Sequence, residues 1–188
     1  MTKQEFLEEL KNNVKREGVE DLIAYLEKSD FFTAPASTKF HSAYEGGLVD
    51  HSYNVYKRLT ALAAQENAEY TEETLAICGL LHDLCKANTY KTEMRNVKEG
   101  GTWVQKPYYA TEEKFPFGHG EKSVWILQNF IRLSPEEALA IDWHMGGFDA
   151  RVRGGSYSMT EVFEKNPLAV MLHTADLMAT YLDEKRGD

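Results

Sequence analysis

The stretch "GLLHDLCK", residues 79–86, sets His82, Asp83 and Lys86 into a run that otherwise reads as the buried side of a helix. Whatever fold the chain adopts must answer for them. An unpaired buried charge is expensive, and a buried polar group needs a partner. The available compensators are a salt bridge, a hydrogen-bond network or a metal ion, and each requires residues distant in sequence to be folded onto positions 82 and 83.

The rest of the chain supplies mostly helices to do this. Thr2 with Glu5 forms a capping box ahead of Phe6, Leu7, Leu10 and Val14 at helical spacing. Val19, Leu22, Ile23 and Leu26 predict a second helix ending near Asp30. A long connection containing Pro35 then delivers His41 and Tyr44 to a third helix, from about Leu48 to Glu66. "TEETLAICGLLHDLCKA" is expected to be a fourth, carrying both cysteines, Cys78 and Cys85, on one stripe. Helical periodicity fails from about Thr89 to Ala110, where alternation on both sides of Gly100 and Gly101 predicts a β-hairpin. It resumes at "HGEKSVWILQNFI" and at "SPEEALAIDWHM", where Ser134, Pro135 and Glu137 make a strong start signal. "GGFDARVRGGS" reads as a loop, Glu161 to Glu164 as a short turn, and "PLAVMLHTADLMATYLDEK" as the last helix. The expectation is an all-α bundle, one domain over 1–188, with a small hairpin insertion and helices 1–30 packed on it.

Charge narrows the partners. With 21 Lys and Arg against 30 Asp and Glu the formal charge is −9, which disfavours a broad footprint for duplex DNA or an anionic membrane. A small nucleotide remains compatible, since a divalent cation overrides the global sign locally. Two cysteines seven apart in one predicted helix do not form a disulfide framework. No apolar run reaches a membrane span and the first residues lack a signal-peptide pattern, so a cytoplasmic location is expected.

The six histidines are His41, His51, His82, His119, His144 and His173, and five sit at or within predicted helices. With Asp83 and Asp176 they offer imidazole and carboxylate donors, a set that suits a hard to borderline divalent ion. Adjacent His82 and Asp83 point about 100° apart on a helix and so flank an ion rather than chelate it together, unless the carboxylate bridges two.

"GGLVDHSYNV", "GLLHDLCK", "GHGEKS", "AIDWHMG" and "HTADLMA" together resemble the HD-domain metal-dependent phosphohydrolase superfamily, including the HD domains of bacterial 3′-5′ exoribonucleases, over roughly residues 39–182. The resemblance implies an HD helical bundle whose ligands are His51, His82, Asp83 and Asp176. It adds His119 and His144 for a second ion, giving one or two Mn, Fe, Ni, Co, Mg or Zn per chain. It departs from the family at Cys85, where many members have Gly, which reads as a packing change, and at His144, where binuclear members often have paired histidines. The implied activity is hydrolysis of a phosphomonoester or phosphodiester, a nucleotide or another small phosphate ester, through a metal-activated water. Asp83, Lys86 and His119 are the catalytic candidates. His41, Tyr44, Arg58, Lys86, Tyr108 and Arg151 are the substrate-binding ones, and Trp103, Tyr108, Tyr109, Phe115 and Phe117 are candidates for a nucleoside wall. His173 reads as support for the site. Short RNA ranks behind small substrates, and the oligomeric state is not legible. Two other functions fit the same ligands: a di-iron oxygenase and a non-catalytic metal- or nucleotide-binding module.

Overall fold

The computed structural model describes residues 1–184. Its helices are α1 (Lys3–Asn13), α2 (Val19–Lys28), α3 (Gly47–Gln65) and α4 (Glu72–Leu81), then, after the hairpin, α5 (His119–Gln128), α6 (Pro135–Asp142), α7 (Ala150–Arg153), α8 (Ser158–Lys165) and α9 (Pro167–Met178). The two capping boxes form as the sequence predicts, Thr2 with Glu5 and Ser134 with Glu137. Helix α3 packs on both α4 and α9, α9 on α6, and α6 on α5. Phe6, Leu10, Leu22 and Leu26 of the first two helices share one buried cluster with Leu48, Leu59, Leu80, Leu127, Ile141 and Leu172. The chain is therefore mostly helical, with a single two-stranded antiparallel sheet among the described residues.

Gly79 sets the approach of α4 to α3, because a Cβ there would stand 2.5 Å from the Tyr56 Cα. Only a residue without a side chain lets the backbones meet so closely, and that contact carries His82 toward His51.

The hairpin pairs β1 (Tyr90–Glu99) with β2 (Thr102–Thr111), from Tyr90 opposite Thr111 to Glu99 opposite Thr102. Gly100 and Gly101, both at positive φ, make the two-residue turn; this demand for two left-handed residues is why glycines are needed there.

Five expectations are corrected. Helix α4 stops at Leu81, so His82, Asp83 and Lys86 do not continue it, and Cys78 and Cys85 do not share a helix. Asp83 leaves helical geometry at φ −101°, ψ 20°, and the chain tightens into a 3₁₀ turn over Leu84–Lys86. There the Lys86 N–H reaches the Asp83 carbonyl at 2.9 Å and the Ala87 N–H reaches Leu84 at 3.1 Å, the i to i+3 pattern that closes helix ends. The bend removes the angular constraint that a continuous helix places on His82 and Asp83. Helix α6 likewise ends at Asp142, leaving His144 beyond it. Residues 158–165 form a full helix rather than a short turn, and the glycine-rich loop contains a short 3₁₀ turn at Gly146–Phe148 and the single-turn α7. The last helix gives way to a π turn over Ala179–Asp183, closed by the Glu184 N–H on the Ala179 carbonyl at 3.1 Å.

Candidate metal centre

Six side chains from five separate parts of the chain converge. His51 comes from the second turn of α3, His82 and Asp83 from the bend after α4, and His119 from the first residue of α5. His144 follows α6, and Asp176 lies in the last turn of α9. His51 Nε2 is 3.4 Å from Asp83 Oδ2, 3.4 Å from Asp176 Oδ1 and 3.3 Å from His82 Nε2. On the other side of the Asp83 carboxylate, Oδ1 accepts from His119 Nε2 at 2.7 Å and faces His144 Nε2 at 3.5 Å. Donor atoms of His51, His82 and Asp176 all lie within 4.8 Å of one another, as do those of His82, Asp83 and His144. The two groups share His82, and Asp83 Oδ2 reaches the first through His51.

The imidazoles are oriented from behind. His82 Nδ1 donates to the Gly79 carbonyl at 2.9 Å, and His144 Nδ1 donates to the Ile141 carbonyl at 2.6 Å. A carbonyl can only accept, so each ring keeps its proton on Nδ1 and turns the Nε2 lone pair to the centre. His144 Nε2 is buried without a hydrogen-bond partner, the condition of a donor atom that lacks what it was placed to bind. His173 Nδ1 donates to the His144 carbonyl at 2.7 Å and so holds that segment from outside.

Charge points the same way. Burial pushes the His82 imidazole down to about 3, against the pull of Asp83, which keeps it neutral. Burial would lower His51 too, but Asp176, Asp83 and Glu184 outweigh it and hold this imidazole well above its usual range. Burial opposes the negative charge of Asp83 as well, and is overcome by Lys86, whose Nζ is 2.6 Å from Oδ2, and by the surrounding histidines. Asp176 is held low despite burial by His51, with His82 and His144 adding to it. His119 rises to about 10: burial opposes the shift, and Cys85 and Asp83 drive it. Protons on His51 and His119 thus stand where the carboxylates call for positive charge. A divalent cation would supply that charge and release those protons. The donor set, neutral Nε2 atoms and carboxylates with one orphaned nitrogen, fits such an ion.

A cavity of about 600 Å³ opens onto this cluster, lined by Asp83, Lys86, His119 and Asp176 together with His41, Tyr90, Arg153, Phe40, Phe148, Leu177 and Tyr181. A larger groove of about 880 Å³ is lined by Glu5, Glu8, Glu9, Asp50 and Asp183 and reaches none of the six converging residues; it is the smaller cavity that meets the chemistry.

Of the substrate-binding candidates, His41 and Lys86 line the cavity. The others are engaged elsewhere. Arg58 pairs with Asp183, Tyr44 donates to Asp50 Oδ2 at 2.9 Å, and Tyr108 donates to Glu93 at 2.7 Å on the hairpin. Arg151 is clamped by Asp142, Asp149 and Glu121 beneath the Trp143 ring, while Arg153 two residues on lines the cavity. The aromatic residues expected as a nucleoside wall are not among the residues that line this cavity. Phe115 and Phe117 stack on each other and on Trp125 on the exterior, and Trp103 stands exposed at the hairpin tip. The aromatic residues that line the cavity are Phe40, Tyr90, Phe148 and Tyr181.

Sequence reasoning missed Glu184. Its Oε1 accepts from His51 Nδ1 at 2.8 Å, and its Oε2 accepts from His41 Nδ1 at 2.9 Å and from the Ser42 hydroxyl at 2.7 Å. It orients His51 as the two carbonyls orient His82 and His144. Nothing in the periodicity marks it, because the π turn after α9, not a helical face, swings it over the site.

A family model of the HD domain matches residues 48–180. The chain belongs to the HD-domain family, whose members are metal-dependent phosphohydrolases in general. No curated protein and no solved structure matches the chain.

Proposed function

We propose that the protein is a metal-dependent phosphohydrolase acting on a small phosphate ester, with a nucleotide the foremost class of substrate. The observation that carries this reading is the convergence of inward-facing imidazole nitrogens and two carboxylates at a cavity that also holds Lys86. In it, His51, His82, Asp83 and Asp176 hold one divalent ion, and Asp83, His119 and His144 offer a second position. Such an ion lowers the pKa of a coordinated water and offsets the charge that grows on phosphoryl oxygens.

The remaining work falls to the chain's own residues. Lys86, partly buried and kept protonated because Asp83 outweighs the cost of its desolvation, presents a fixed ammonium to a phosphoryl oxygen, and Arg153 presents a guanidinium at the cavity edge. Asp83 ties Lys86 to both histidine groups, so phosphate binding and the ion site share one carboxylate. Phe40, Phe148 and Tyr181 give an organic leaving group an apolar surface, and about 600 Å³ accommodates a mononucleotide rather than a folded RNA. Phosphate release from nucleoside mono-, di- and triphosphates, cyclic dinucleotides and short RNA, with Mn, Ni, Co or Mg and with elemental analysis of the purified protein, tests the reading. Mononucleotides are expected to turn over; bound metal with no release from any of these substrates overturns it.

A further inference from the structure

Cys85 stands where the family resemblance has glycine in many members, and the structure gives it more than a packing role. Its backbone is fixed at both ends: the Cys85 N–H donates to the Ser123 hydroxyl of α5 at 3.0 Å, and the Thr89 hydroxyl donates to the Cys85 carbonyl at 2.8 Å. The side chain thus aimed is buried, and its Sγ lies 3.5 Å from His119 Nδ1 and 3.6 Å from His119 Nε2. Near-equal approach to both ring nitrogens is a shared contact rather than one directed hydrogen bond. Sulfur, the His119 nitrogen and an Asp83 oxygen all lie within 4.8 Å of one another. A separate feature at the same carboxylate bears on this. His144 Nε2, fully buried and without a hydrogen-bond partner, faces the Asp83 oxygen that His119 contacts.

We infer that Cys85 is a sulfur ligand of the second metal position, which is thereby a mixed site of Asp83, His119 and Cys85, with His144 facing it across Asp83, rather than one of nitrogen and oxygen alone. The inference rests on the metal-centre reading above and deepens it. Sulfur changes which ions that position holds: thiolate donors favour zinc, cobalt and iron over magnesium, whereas the position formed by His51, His82, Asp83 and Asp176 keeps a nitrogen and oxygen set. The thiol proton leaves to solvent as the sulfur–metal bond forms, so loading this position releases a proton. The single histidine after α6 is then compensated, because the thiolate provides both a further donor and the negative charge that a second imidazole would not.

Cobalt(II) titration of metal-free protein under anaerobic conditions tests this directly, without recourse to activity. The expected result is two cobalt ions per chain, with near-ultraviolet sulfur-to-cobalt charge-transfer absorption growing with the second. Cys85→Ser and Cys85→Ala should keep the first ion, abolish that absorption and weaken the second ion by more than about tenfold, a loss seen even for outer-shell partners. Cys78→Ser, which alters a thiol in the core cluster, should leave the absorption unchanged. Bound cobalt without the absorption in the unaltered protein, or absorption that survives Cys85→Ala, overturns the sulfur ligand while leaving the metal centre standing. No bound cobalt at all overturns both.

Discussion

Replacing Asp83 by Asn isolates the group on which the site depends, since it removes one charge at nearly constant volume. In the native protein this carboxylate is 2% exposed, with Oδ2 at 2.6 Å from Lys86 Nζ and Oδ1 at 2.7 Å from His119 Nε2. Asp83→Asn leaves the Lys86 ammonium, 13% exposed at the cavity wall, without its partner, and breaking a largely buried pair from one side costs about 3–5 kcal/mol. For a chain of this length each kcal/mol moves the midpoint by about 2–4 °C, so metal-free Asp83→Asn should melt about 6–20 °C lower. The chemical loss is separate. Removing an electrostatic group that acts in the transition state lowers kcat by about 100-fold or more. Adding Lys86→Met discriminates the two effects: with the stranded ammonium gone, the midpoint should recover most of its fall while kcat does not. Calorimetry and phosphate release, with metal content measured on the same samples, read both. If Asp83→Asn kept kcat within about threefold, less than 1 kcal/mol of barrier, the pairing in "GLLHDLCK" would be structural and the phosphohydrolase reading would fall.

Glu184→Gln should weaken metal binding by about 10–100-fold, the range for a partner behind a ligand, as read by competition with a chromophoric chelator; unchanged affinity would leave Glu184 a packing residue. Chelation of protein loaded at about 100 times the dissociation constant should remove about 2.7 kcal/mol of stability, lowering the midpoint by about 5–11 °C; an equal midpoint in metal-loaded and chelated samples would refute the coupling. Glu137, 1% exposed, accepts both Arg16 NH groups at 2.6 Å, and although burial opposes its charge, Arg16, the Ser134 N–H and Thr74 hold its pKa below the ordinary 4.5. The unfolded chain therefore takes up this proton at higher pH than the native one. The stabilisation is complete above the unfolded value near 4.5 and lost as pH falls through the lower native value. Glu137→Gln should flatten the stability profile on that acid limb; an unchanged slope between the two proteins would assign the acid sensitivity elsewhere.

Much of this protein is local and therefore legible without coordinates. Capping boxes at Thr2 and Ser134, apolar spacing along α1 to α4, and two glycines between alternating strands are each decided within a few residues, because backbone hydrogen bonding and turn geometry act at that range. The six residues that converge were legible too, through the motifs that resemble one family. Other features depended on where separate elements end and meet. The close passage of Gly79 against Tyr56 brings His82 to His51, and the bend at Asp83 turns adjacent side chains toward a common point. Carbonyls from Gly79 and Ile141 fix which imidazole nitrogens face inward. Glu184 joins the site only through the π turn after α9, and Cys85 meets His119 only because Ser123 pins its backbone. Arg58, Tyr44, Tyr108 and Arg151 looked available as isolated polar residues, yet each finds a partner of its own. A charge's nearest neighbour is set by tertiary packing, and no pattern along the chain records it.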